Sequence, residues 1–168
     1  MIRRKQQRGA FLLETVLYLP ILLLLLLGMI EIARVTYTYY ALQKTLYTVA
    51  RYLGTRQGVN FCDDADASIA AAKNYALTGT TDGTAEPVIR GLAAEQIQVR
   101  MERFNASSGD LGECACEASG CDTGNGGQAP DFIVVSIPEG YSMRLAIPQL
   151  PVDPILLKPR VRLPNQGT

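Results

Sequence analysis

Glu14 is the residue whose chemistry most needs a reason. It is the one charged side chain between Ala10 and Ile30, a stretch otherwise made of apolar residues with Thr, Tyr, Pro and Gly. A carboxylate at the centre of a membrane helix costs about 2.5–3.5 kcal/mol and is usually paired or functional. Near the end of the segment it can instead snorkel to the headgroups. Just upstream, Gly9-Ala10 joins this segment to a leader with Arg3, Arg4, Lys5 and Arg8 and no acidic residue. An ordinary secretory signal puts its apolar segment before the cut and discards it. A cut after Gly9 would discard only residues 1–9, keep the apolar segment and create an α-amine at Ala10. A buried ammonium and a buried carboxylate each strand the other unless paired. Glu14 therefore reads as the partner of a positive charge, in particular one on another chain.

Cys62, Cys114, Cys116 and Cys121 form the second constellation. An even count in an exported domain favours disulfides, with three connectivities open. The preferred pairing is Cys62 with Cys114 or Cys116, and the remaining one with Cys121. The alternative is a metal site, but Cys114-x-Cys116-x4-Cys121 lacks the usual Cys-x-x-Cys pairs. The chain has no His to assist. That same absence removes Ser-His and Cys-His arrangements, so no enzyme activity and no cofactor or metal is expected. Asp63, Asp64 and Asp66 lack the ligand order of a calcium loop and suit a helix start better. Gly124-Asn125-Gly126-Gly127 lacks the Lys and Ser/Thr of a phosphate loop.

These residues need elements to place them. From Ala10 to Ile30 there is enough apolar chain for a helix to cross a bilayer core of about 30 Å. The basic leader keeps the N-terminus in the cytoplasm by the positive-inside rule, so the C-terminal bulk is exported. Pro20 removes a backbone N–H and opens the helix one turn back, as a simple kink or as a functional flexible point. Beyond the membrane, Val35, Tyr39, Leu42, Leu46, Val49 and Leu53 follow heptad spacing. This stripe predicts an amphipathic continuation that packs on the chain's own domain in preference to other subunits' helices. Gly54 and Gly58 supply the stop. The expected layout is a leader over 1–9, a transmembrane helix over 10–32, an amphipathic extension over 33–58 and an exported α+β domain over 59–168.

Within that domain a second helix is expected from Asp64 through Leu77, closed by Gly79. Strands are expected at 97–104, 132–137, 141–147 and 155–163. The last falls at an edge, because Pro159 interrupts it. Residues 105–130 read as a long Gly-rich loop, and 148–154 as a rigid Pro-rich one. The predicted fold is α+β: a long N-terminal helix, transmembrane then amphipathic, packed on a small antiparallel sheet with a second helix. Formal charge is zero overall, but removing the leader leaves an acidic chain. No concentrated basic surface suited to nucleic acid remains.

The register of these features resembles the type IV prepilin class. A short basic leader ends in Gly9, a retained apolar helix follows, and Glu14 falls fifth from Ala10. The resemblance implies cleavage by a membrane prepilin peptidase between Gly9 and Ala10. It also implies engagement of Glu14 with the new N-terminal amine of a neighbouring subunit. The finer match is to TadE-like minor pilins of the tight-adherence (Flp/Tad) system. It is carried by Arg8-Gly9-Ala10, Glu14, Pro20, the leucines 22–27, Gly28, Glu31-Ile32-Ala33-Arg34, Tyr39-Tyr40-Ala41-Leu42-Gln43 and Ala50-Arg51-Tyr52. Thr15 and Phe11 depart from the usual pattern at their positions. The resemblance implies an inner-membrane, single-pass subunit with a periplasmic domain that helps assemble or prime an adhesion pilus. Its implied partners are the peptidase, other pilin or pseudopilin subunits, the inner-membrane assembly platform and membrane lipid. Two other readings are a pseudopilin of a type II secretion machine and an uncleaved signal-anchored surface adhesin.

Overall fold

The computed structural model describes residues 3–63, 65–107, 109–146 and 154–166, with side chains described from Phe11 onward. One helix, α1, runs Arg3–Gly54 without interruption, through Pro20. It is about 78 Å long at 1.5 Å per residue. It ends at Gly54, the first of the two expected stop glycines and four residues short of the expected bound at 58, and the fold supplies a reason. The backbone N–H of Gln166 donates to the Gly54 carbonyl at 2.8 Å. The C-terminal segment thus satisfies a carbonyl that the helix end leaves open. It lies so close that a Cβ at Gly54 would sit 3.2 Å from the Pro164 carbonyl oxygen.

α2 spans Ala67–Thr78. Asp66 is its N-cap, with its carboxylate accepting from the Ser68 N–H, and Gly79 closes it in the left-handed conformation. Six strands follow: β1 Gln98–Asn105, β2 Asp110–Glu113, β3 Phe132–Ser136, β4 Tyr141–Met143, β5 Ile155–Leu157 and β6 Arg160–Pro164. Four make an antiparallel sheet in the order β2-β1-β3-β6, and β4 and β5 make a separate two-stranded ladder. The result is the α+β architecture expected from sequence.

The core lies between α1, α2 and one face of the sheet. Leu42, Leu46, Val49, Ala50 and Leu53 of α1 are fully buried there. They meet Ile69, Ala72 and Leu77 from α2's side and Ile133 and Val135 of β3, with Val99, Val161 and Leu163 packed alongside. Register explains the shared face, since Val99, Val135 and Val161 lie opposite one another across three strands. The stripe on α1 thus packs on the chain's own domain, the preferred of its two readings.

Four expectations need correction. Tyr39 belongs to the predicted stripe but is exposed. At 100° per residue Tyr39 points within about 20° of both Leu46 and Ala50, on the buried face, but it lies about one turn before Leu42, where the run of buried residues begins. Its hydroxyl accepts from the Gln43 side chain at 3.3 Å. Second, the segment 105–130 is not all loop. It contains β2, which pairs with β1 from Asn105↔Asp110 to Glu102↔Glu113, and a short 3-10 turn at Thr123–Asn125. Third, the strand expected over 155–163 is two strands. Pro159 lacks an N–H for the ladder, and β5 and β6 on either side of it join different sheets. β6 is at a sheet edge, as its proline predicts. Of the strand expected over 141–147 only Tyr141–Met143 is extended, and residue 147 lies outside the described residues, as do Asp64 and most of the loop 148–154.

Candidate functional site: the junction and the exposed apolar helix

Gly9 and Ala10 lie inside α1, and Glu14 follows one turn later. Five residues in a row, Ala10-Phe11-Leu12-Leu13-Glu14, continue the helix with no breaker. Glu14 is therefore about 6 Å farther along the axis than Ala10, on nearly the same face. The side chains of Gly9 and Ala10 lie outside the described ones. Glu14 is exposed, and among the described residues it has no hydrogen-bond or ion-pair partner. Next to it, the Thr15 hydroxyl donates to the Phe11 carbonyl at 2.9 Å, which turns a polar group inward to the backbone.

From Phe11 to Ile30 the helix has no cover. Leu13, Val16 and Leu24 are each about two-thirds exposed, and only Gly28 in this stretch is partly shielded. Twenty residues at 1.5 Å give about 30 Å, the thickness of a bilayer's hydrocarbon core. The helix is long and apolar enough to cross a membrane, with a mean hydropathy of 2.5 over its best window. Such a surface suits a membrane anchor, since an uncovered apolar area of this extent does not persist in water.

The exposed segment ends at a carboxylate. Among the described side chains of α1, Glu31 is the first that is buried. Its oxygens accept from the Arg34 guanidinium at 3.2 and 3.3 Å, and one also accepts the backbone N–H of Ala146 at 2.8 Å. The Glu31-x-x-Arg34 spacing places the two charges one turn apart on one face. The globular domain therefore grips the helix at the point where the bare apolar segment stops. This second anchor was not legible from spacing alone, because Ala146 is 115 residues away.

All four cysteines are in disulfides. Cys62 pairs with Cys116 and Cys114 with Cys121, at Cα separations of 5.5 and 5.7 Å. These distances are ordinary for the bond. The first bridge ties the segment between the helices to the long loop after β2. The second closes that loop on itself. Asp122 is buried beside Cys121 and caps the 3-10 turn, with its carboxylate accepting from the N–H groups of Gly124 and Asn125.

Sequence reasoning missed one charged cluster on the sheet's outer face. Glu102 of β1 is buried and forms ion pairs with Arg160 and Arg162 of β6. The Arg162 contact is 2.5 Å. Arg162 also lies over the Phe132 ring, 5.8 Å from its centre. β3 runs between the two strands, so the pairs bridge across Val134, which is buried beneath them. Glu102 carried no local signal, because its partners are 58 and more residues farther along the chain.

A family model described as TadE-like protein matches residues 9–51, about a quarter of the chain. No curated protein and no solved structure gives a match. The matched stretch begins at the glycine before the junction and ends at Arg51, close to the end of α1, so it takes in Glu14, the bare apolar segment and Glu31-x-x-Arg34. Over residues 9–51, then, the chain is similar to the TadE-like family whose pattern its junction resembles.

Proposed function

We propose that this protein is a minor pilin, or pseudopilin, that a prepilin peptidase cleaves after Gly9 and that helps to assemble or prime a Tad adhesion pilus. It is a structural subunit rather than an enzyme. Residues 1–9 stay cytoplasmic until removed, the apolar helix sits in the inner membrane, and the domain beyond Glu31 is periplasmic. One observation carries the reading: an exposed carboxylate, Glu14, with no partner among the described residues, sits one turn after Ala10 at the head of an uncovered apolar helix. Cleavage gives a neighbouring subunit an α-amine at the same depth. The pair then offsets the cost of holding either charge in lipid. Pro20, six residues on, lets α1 adjust where subunits pack.

N-terminal sequencing of the chain from its native membrane tests the first step. A mature chain starting at Ala10 is expected, and one starting at Met1 would leave an uncleaved anchored adhesin instead. The second step is tested by Glu14→Ala. The variant is expected to be cleaved normally yet fail to crosslink to pilin subunits. Normal assembly by the cleaved variant would remove Glu14 from the role. Genes for a secretion machine in place of a Tad ATPase and Flp pilin beside this one would move the protein to type II secretion.

A further inference from the structure

The disulfides are paired out of chain order. Cys62 reaches past Cys114 to Cys116, and Cys114 reaches past Cys116 to Cys121. Pairing in order would give Cys62–Cys114 and Cys116–Cys121, and only Ala115 separates the two choices. An unfolded chain does not tell them apart. Loop-closure cost grows only with the logarithm of loop length, so Cys62 closes onto Cys114 or Cys116 with nearly equal ease. Cys114 also emerges first from any N-to-C export.

What distinguishes them is the finished sheet. Cys114 follows β2 directly, and its N–H donates to the Met101 carbonyl of β1 at 3.0 Å. Cys121 is buried, and its N–H donates to the Ala115 carbonyl at 3.0 Å. Gly120 packs so tightly there that a Cβ would lie 2.1 Å from the same carbonyl oxygen. These contacts hold Cys121 against Cys114 and leave Cys116 for Cys62, whose N–H is held by the Asn60 side chain at 3.0 Å. The Cys114–Met101 bond forms only when β1 and β2 have paired, whereas the thiols can be oxidised as soon as they leave the cytoplasm.

We propose that this domain is a substrate of a thiol–disulfide isomerase, a partner with a reduced Cys-x-x-Cys dithiol that converts the in-order bridges into Cys62–Cys116 and Cys114–Cys121. The exchange needs no net oxidant. The partner's thiolate attacks Sγ of Cys114, breaks the bond to Cys62 and releases the Cys62 thiolate. Cys62 attacks Sγ of Cys116, breaks the Cys116–Cys121 bond and releases the Cys121 thiolate. Cys121 then attacks Sγ of Cys114, forms the last native bond and returns the partner's thiolate. The earlier oxidation of the four thiols passes electrons to a separate disulfide oxidant of the exporting compartment. That compartment rests on the export proposed above, but the exchange chemistry does not.

The full chain, reduced and denatured, is diluted into detergent and oxidised with diamide, the diamide is removed, and the chain is incubated with or without a purified protein disulfide isomerase in its reduced form. Bridges are mapped by electron-transfer fragmentation, which cuts the backbone between Cys114 and Cys116. Without the isomerase, Cys62–Cys114 with Cys116–Cys121 is expected at an abundance comparable to the native set. With it, the native set should rise severalfold and dominate. A Cys62→Ser/Cys116→Ser variant, left with only the 114–121 pair, should give the same yield of that bridge with or without isomerase. Native pairing that dominates with no isomerase would overturn the proposal, as would an equal isomerase requirement in the double variant.

Discussion

The carboxylate of Glu31 accepts the backbone N–H of Ala146 at 2.8 Å, across 115 residues of sequence. The bond joins the foot of the globular domain to α1 at the first buried position after the bare apolar segment. A hydrogen bond to a charged acceptor contributes about 1.5–3 kcal/mol when buried. The Arg34 pair adds little, since Arg34 is nearly half exposed. Glu31→Ala should therefore cost about 1–2 kcal/mol in denaturant unfolding of the detergent-solubilised chain. Glu31→Gln, which keeps an acceptor oxygen, should cost less than about 1 kcal/mol. Hydrogen exchange at the Ala146 amide separates the local effect from a global one. It should quicken far more than exchange at Val135 in the alanine variant, and hardly at all in the glutamine variant.

Glu102 gives a different kind of test, because two cations share one buried anion. Arg160 and Arg162 are 59% and 44% exposed, so water solvates either of them when Glu102 is removed. The carboxylate, at 11%, has no such relief. Losing one arginine leaves the other in place, and Arg160→Ala or Arg162→Ala alone should cost no more than about 1 kcal/mol. Losing both strands a buried carboxylate, and the double variant should cost about 3 kcal/mol. Adding Glu102→Gln to the double variant should then restore part of the loss. A strictly additive cycle would show that the two arginines act independently of the buried charge.

On α1, burial and heptad position make opposite predictions for one residue. Leu46 is completely buried between α2 and the sheet, and Leu46→Ala should cost about 2–5 kcal/mol. Tyr39 occupies the same predicted stripe but is exposed, and Tyr39→Ala should change stability by about 0.5 kcal/mol or less. Thermal or denaturant melts of the two variants test whether burial, and not membership of the stripe, sets each residue's weight in this core.

That contrast also marks how far the sequence speaks. Leu42, Leu46, Val49 and Leu53 announced their burial because local periodicity and tertiary packing agree there. Asp66 and Gly79 announced the ends of α2, because a cap and a left-handed glycine are local chemistry. β2 was hidden because its residues, Asp110–Glu113, are all exposed and show no alternation. Its pairing comes from the turn, where Gly109, at φ 75°, donates its N–H to the Asn105 carbonyl at 2.8 Å. A glycine in that left-handed conformation four residues after Asn105 was the available signal. Glu31 stood out by its spacing to Arg34, but its use did not, since nothing near it in the chain points to Ala146. Glu102 was invisible for the same reason. Long-range partners of single charges leave no periodic trace.

Asp66 brings together a cap, a loop and a titration. One oxygen of its carboxylate accepts the Ser68 N–H at 2.7 Å, and the other accepts the Asn60 N–H at 3.1 Å. It thereby starts α2 and fastens the turn that leads to Cys62. Partial burial pushes its pKa up, but the hydrogen bonds from Asn60 and Ser68 outweigh this and hold the carboxyl below its ordinary value of 3.8. In the unfolded chain it titrates near that ordinary value, so the folded state binds the proton less readily. The stabilisation is complete above the unfolded value and drains away as pH falls through the depressed folded one. Asp66→Ala removes both bonds and should cost about 1 kcal/mol near neutral pH. Asp66→Asn retains a capping oxygen without the titrating charge. It should unfold with a shallower loss of stability than the native chain between about pH 5 and about pH 2. Denaturant melts across that range test the link, and identical slopes in the two proteins would assign the acid sensitivity to other carboxylates.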